Sequence, residues 1–129
     1  MANSTYFHTI NGRTKIINNL FSIDEYFAAG EKINVFRIIQ EALNNILKHA
    51  NATEVILAGE IKGKNLIISV SDNGSGFADL NRVQKGKRPH IGLKGMKERA
   101  LLLKGILTVS SSPNKGTTIK LEFMNRIKT

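Results

Sequence analysis

The chain has 129 residues, two prolines, no cysteine, 41% hydrophobic residues and a formal charge of +9 with a pI near 10.1. That length suits one domain with one core, and the absent cysteine excludes disulfides, thiolate zinc sites and a cysteine nucleophile while favouring a reducing, cytoplasmic setting. The charge asks for an anionic partner, yet only "QKGKR" clusters, and the eight aromatics (six Phe, two Tyr) do not interleave with it as a base-stacking groove requires, which argues against nucleic acid as the partner. No apolar run reaches the ~18 residues of a membrane span, and none among the first thirty residues suits a signal peptide, so a membrane link would run through a parent region outside this chain.

Residues 1–14, "MANSTYFHTINGRT", show no period and read as a loose end. "KIINNLFSI" has the composition of a short strand, and "DEYFAAGEK" that of a turn or short helix. A long helix is predicted from about Lys32 to Ala50. At about 100° per residue, Val35, Phe36, Ile39, Ala42, Leu43, Ile46 and Leu47 make a broad apolar face. The opposite side lines up Arg37, Glu41, Asn45 and Lys48, with Asn44 and His49 at its margins. "TEVILAGEI" and "NLIISVSD" form a hairpin across "KGK". In its second strand Leu66, Ile68, Val70 and, by the period of two, Asp72 face one side.

From Asn73 to about Ile91 the regular pattern stops. "DNGSGFADLNRVQKGKRPHIG" carries glycines at 74, 76, 86 and 92 and a proline at 89, the composition of a lid or binding loop. A second helix, about Leu93 to Lys104, puts Leu93, Met96, Ala100 and Leu103 on one face and stops at Gly105. "GILTVSS" and "GTTIKLEF" close the chain around "SPNKG", with Thr117, Ile119, Leu121 and Phe123 turned inward. The predicted fold is α+β: a two-layer sandwich, one domain over residues 1–129, with helices on one face of a mixed, mostly antiparallel sheet.

Several polar groups sit where an apolar one is expected. Asp72, at the end of an inward strand face, needs donors to offset lost hydration. It either caps the "DNGSG" turn or, as an acceptor-only carboxylate, meets a ligand's amino group such as that of adenine. Gly74 and Gly76 then let backbone approach the ligand. Thr117 is either strand filler or a hydroxyl facing the same interior. The polar stripe of the first helix is either a solvated face or a site: Asn44 and Asn45 are poor helix formers, an amide oxygen suits magnesium, and Lys48 would meet phosphate. Gly92 and Gly95 flank a helix start that favours an anion.

In that order, "EALNNILKHA", "DNGSGF", "GLKGMKER" and "GTTIKLEF" resemble the four nucleotide-binding boxes of the ATP-binding catalytic domain of bacterial sensor histidine kinases. The likeness is nearest to the branch whose response regulators carry a helix-turn-helix output domain. It runs from about Ile33 to Phe123 and implies the Bergerat ATPase fold with a glycine-rich ATP lid. It also implies ATP with Mg²⁺ as cofactors. Asn45 matches the magnesium ligand, Glu41 the acidic catalytic position, and Asn44, Lys48 and His49 positions near phosphates or ribose, where Lys48 would share in catalysis by neutralising charge. Asp72 matches the acceptor of the adenine amine, with Gly74 and Gly76 shaping the pocket. Gly92, Leu93 and Gly95 match the lid hinge, and Thr117 the threonine beneath the adenine.

His90 stands where the lid box commonly has an extra glycine. The resemblance further implies a phosphoacceptor histidine on a dimerising helical hairpin, for which the segment before Ile33 is too short. His8, His49 and His90 do not fit that role, so the isolated chain is expected to be a monomer that does not phosphorylate itself. The competing readings are a stand-alone ATPase or anti-sigma-factor-type serine kinase, and a non-catalytic basic module or pseudokinase fragment.

Overall fold

A computed structural model describes residues 6–10, 14–49, 52–74, 93–112 and 115–127. Among these, the elements run β1 (Tyr6–Ile10), β2 (Thr14–Asn19), α1 (Ala29–His49), β3 (Glu54–Lys62), β4 (Asn65–Asp72), α2 (Leu93–Leu102), β5 (Ile106–Ser112) and β6 (Gly116–Phe123). The strands form one sheet in the order β1-β2-β3-β4-β6-β5. Only β2 and β3 pair in parallel. A parallel pair needs a crossover, and α1 supplies it.

The expected loose end is a correction. Tyr6–Ile10 pairs with β2 from Tyr6↔Asn18 to Ile10↔Thr14. The segment carries no apolar alternation to mark it, and its strand state shows only in the pairing with β2.

The neighbouring strands β4 and β6 build much of the core face. Leu66, Ile68 and Val70 of β4 lie opposite Phe123, Leu121 and Ile119 of β6, and all six are buried. Val35, Ile38, Ile39, Ala42 and Ile46 of α1 and Met96 and Ala100 of α2 join the same cluster. The buried stripe of α1 is rotated from the one predicted. Ile38, absent from it, is 2% exposed, whereas Phe36 is 52% exposed. Gly59 lies under Leu20 and Phe21, where a Cβ would come within 2.8 Å of Leu20 Cδ1.

Both helix ends differ from expectation by a few residues, and each has a local cause. Helix α1 begins at Ala29 because Glu31 Oε1 accepts the Ala28 N–H at 2.8 Å, half of a capping box. Helix α2 stops through Lys104, which takes the left-handed conformation (φ 62°), while the Gly105 N–H reaches back to the Ala100 carbonyl at 2.8 Å. Gly105 serves packing instead: a Cβ there would lie 2.7 Å from Phe123 Cε1.

Arg126 fastens this end of the molecule. Its guanidinium lies 4.6 Å from the Phe27 ring centroid and 5.5 Å from that of Phe123. It donates to the Tyr26 and Leu103 carbonyls and to Glu31. A polar cleft lined by Glu25, Tyr26, Glu31 and Arg126 opens here, at the end of β4 away from Asp72.

Candidate functional site

Asp72 closes β4 opposite Val55, which is fully buried. Its two carboxylate oxygens are treated differently. Oδ1 accepts the Gly74 N–H at 2.6 Å, closing an Asx-type turn. Oδ2 is buried and, among the described residues, has no hydrogen-bond partner. Desolvation pushes the carboxyl above the ordinary aspartate range, and the backbone amides of Gly74 and Thr117 pull it back only in part. Turn cap and ligand acceptor, posed as alternatives by the sequence, are thus available on separate oxygens.

Thr117 is buried at 2% exposure on the adjacent strand, and its Oγ1 shares a 2.9 Å hydrogen bond with Ser111 Oγ across the β5–β6 ladder. Gly116, just before it, adopts φ +83°. A Cβ there would fall 2.0 Å from the Asp72 carbonyl oxygen, so only glycine lets β6 pass the end of β4.

On α1 the polar stripe grades inward. Arg37 is exposed, Glu41 half-buried and Asn45 buried at 4%. A merely solvated face does not bury its amide. Asn44 beside it is exposed. Leu93 and Gly95 lie in the first turn of α2. Gly76, the lid to Ile91, Gly92, and the side chains of Lys48 and His49 lie outside the described residues.

The residues present suit a purine nucleotide. A shielded acceptor with no donor among the described residues matches an exocyclic amine, a hydroxyl pair (Thr117 buried, Ser111 partly so) lies on the next strands, and a buried amide stands on the helix above the sheet. Among the described residues no group of three His, Asp or Glu could hold a metal by itself. A cation bound at Asn45 would need phosphate oxygens and water to complete its shell, as magnesium accepts.

The model of one protein family, described as histidine kinase-, DNA gyrase B-, and HSP90-like ATPase, matches residues 30–127. The chain belongs to this family. Its named relatives are sensor histidine kinases. It is 37% identical over 114 residues to the signal transduction histidine-protein kinase/phosphatase DegS of Bacillus subtilis, covering 87% of this chain and 29% of that protein. It is 41% identical over 88 residues to the oxygen sensor histidine kinase NreB of Staphylococcus carnosus, covering 68% of this chain and 24% of that protein. The chain therefore spans less than a third of either relative. Among solved structures it resembles the blue-light activated histidine kinase of Erythrobacter litoralis EL346, with a TM-score of 0.70 and 17% identity over 86% of this chain and 35% of that one. That likeness supports the fold alone.

In this ATPase domain, sequence reasoning missed two residues beside the site. Ser111, on an edge strand, gave no signal until the register placed it opposite Thr117. Asn73 was taken as the first lid residue, but its side chain is bound to the start of β3.

Proposed function

We propose that the domain binds ATP with Mg²⁺ and delivers the γ-phosphoryl group to a histidine on a dimerising helical hairpin outside this chain, from which a response regulator takes it. The observation that carries this reading is the buried Oδ2 of Asp72, without a partner among the described residues, an acceptor suited to the adenine amine. Asp72 reads the base, Gly74 and Gly76 let backbone approach it, and Thr117 lies beneath it. Asn45 would hold the magnesium ion, which when bound neutralises phosphate charge. By the resemblance Asn44, Lys48 and His49 would meet phosphates or ribose, and Gly92, Leu93 and Gly95 would form the lid hinge.

In the transfer, an imidazole nitrogen attacks the γ-phosphorus, the bond to the β,γ-bridging oxygen breaks, and ADP leaves with its electron pair. Glu41, half-buried one turn before Asn45, takes the proton from the other ring nitrogen. Catalysis is otherwise positioning and charge neutralisation. The domain works in the cytoplasm, where ATP is available, and no helix among the described residues is long and apolar enough to cross a membrane. Alone it is a monomer.

The test mixes the chain with radiolabelled ATP and a separately produced histidine-bearing hairpin from a relative. Acid-labile label on the hairpin, absent when its histidine is glutamine, is expected. Acid-stable phosphoserine would favour the serine-kinase reading, and no nucleotide binding would refute the site.

A further inference from the structure

Asn73 follows Asp72 directly. Its Oδ1 accepts the backbone N–H groups of Thr53 at 3.0 Å and Glu54 at 2.9 Å, and its Nδ2 donates to Thr53 Oγ1 at 3.0 Å. Its own backbone N–H donates to the Glu54 carbonyl at 3.2 Å. The β3–β4 register ends at Val55↔Asp72, so the Asn73 side chain extends the pairing by one step where the strand pairing stops. Without it Asp72 would be the fraying last residue of its strand. One residue later Gly74 donates to Asp72 Oδ1, a bond that depends on the chain turning at Asn73. That turn decides which oxygen is engaged and which stays buried without a partner.

The other end of the bracket is also tied down. The segment 52–54 follows the end of α1, the helix that carries Asn45. Thr14 Oγ1 donates to the Ala52 carbonyl and the Lys15 N–H to the Thr53 carbonyl, both at 2.9 Å. Asn73 therefore connects the carboxylate to the chain that leaves the amide-bearing helix.

We infer that Asn73 is a positioning residue that fixes the Asp72 carboxylate for a 6-amino purine and so sets base selectivity without touching the nucleotide. The inference rests on the reading of Asp72 given above. Inosine triphosphate keeps the phosphates and ribose of ATP but carries oxygen in place of the amine. Its N1 also carries a proton, so the ratio of the two dissociation constants, measured by calorimetry with magnesium, reads recognition of the 6-amino edge as a whole.

The unaltered chain is expected to prefer ATP by about a hundredfold, the size of an amine–carboxylate bond replaced by two facing acceptors. Asn73→Ala should weaken ATP about tenfold and inosine triphosphate less than about threefold, shrinking the preference. Asn73→Asp keeps an oxygen for both N–H groups and should restore it. Asn73→Ser, too short to reach both, should repeat the alanine result and replaces that variant if it does not fold. General loosening of the fold lowers both affinities together and leaves the ratio unchanged. That outcome, or a full ATP preference in Asn73→Ala, overturns the inference. Equal binding of both nucleotides by the unaltered chain overturns the reading of Asp72 itself.

Discussion

Replacing Asp72 by asparagine alters the purine end of the site by one charge and almost no volume. The Gly74 N–H, 2.6 Å from Oδ1, requires an oxygen to stay in that position, so the new NH₂ must occupy the place of Oδ2. There a donor faces the donor of the adenine amine. The loss comprises a hydrogen bond to a charged acceptor, about 1.5–3 kcal/mol, and two donors left facing each other, about 1–3 kcal/mol more. At about 1.4 kcal/mol per factor of ten, ATP affinity should fall at least a hundredfold, to order of magnitude.

The ligand-free protein should respond in the opposite sense. Desolvation raises the Asp72 carboxyl in the folded state, with the Gly74 and Thr117 amides offsetting only part of it. Between the ordinary aspartate value and that raised value the folded chain binds more protons than the unfolded one, so this group lowers stability as pH rises through the window. Above the window the penalty remains in full. An amide carries neither effect. Titration calorimetry with ATP and magnesium at neutral pH, with nucleotide-free melts from acidic to neutral pH, measures both consequences. Unchanged affinity would reduce Asp72 to a turn cap, and a strongly destabilised apo variant would make its charge a structural anchor; each refutes the reasoning.

Three other substitutions probe separate parts of the molecule. Asn45→Ala should abolish the gain in ATP affinity on adding magnesium while leaving magnesium-free binding within about threefold, because one amide ligand is lost and the base contacts remain; titrations with and without chelator check it. Gly116→Ala places a Cβ 2.0 Å from the Asp72 carbonyl at φ +83°, so it should cost upwards of about 3 kcal/mol in a denaturant titration. Arg126→Lys keeps the charge but loses the planar contact with Phe27 and Phe123 and the forked donors. It should cost about 2 kcal/mol, roughly 5–10 °C in Tm, and leave ATP affinity at low temperature unchanged.

The sheet centre was legible in the sequence because one face is buried. Ile68 and Val70 alternate with Ser69 and Ser71, and that alternation carried the register out to Asp72, although Ile67 on the other face is buried as well. What escaped is what local pattern does not encode. Strand β1 has no apolar alternation, and its only signal is the Asn11-Gly12 dipeptide ahead of β2, a common hairpin composition. The start of α1 is moved by one side-chain bond from Glu31. The stop of α2 uses Lys104 in a conformation usually left to glycine, because Gly105 is needed to clear Phe123. At the site, Asp72, Thr117 and the amide of Asn45 were readable as polar groups on inward positions. Asn73 was not, since its partners lie 19 and 20 residues away and an asparagine after an aspartate reads as an ordinary turn.

A half-buried carboxylate with a free oxygen is a poor choice for folding, and its surroundings explain how the fold carries it. The neighbouring residues on β3 and β4, Val55, Ile68 and Val70, are 0%, 2% and 3% exposed, so Asp72 sits on the best-packed part of the sheet. Its backbone is held by the β3 pairing and by the Asn73 bracket, and cannot retreat to water without breaking both. The remaining relief is a ligand donor. A nucleotide would supply it at one end while its phosphates offset part of the chain's +9 charge at the other. Binding and folding are coupled through the same residues, and ATP at a hundred times its dissociation constant should add about 2.7 kcal/mol to stability. That gain should shrink together with affinity in Asp72→Asn, even as the ligand-free variant is expected to be the more stable protein.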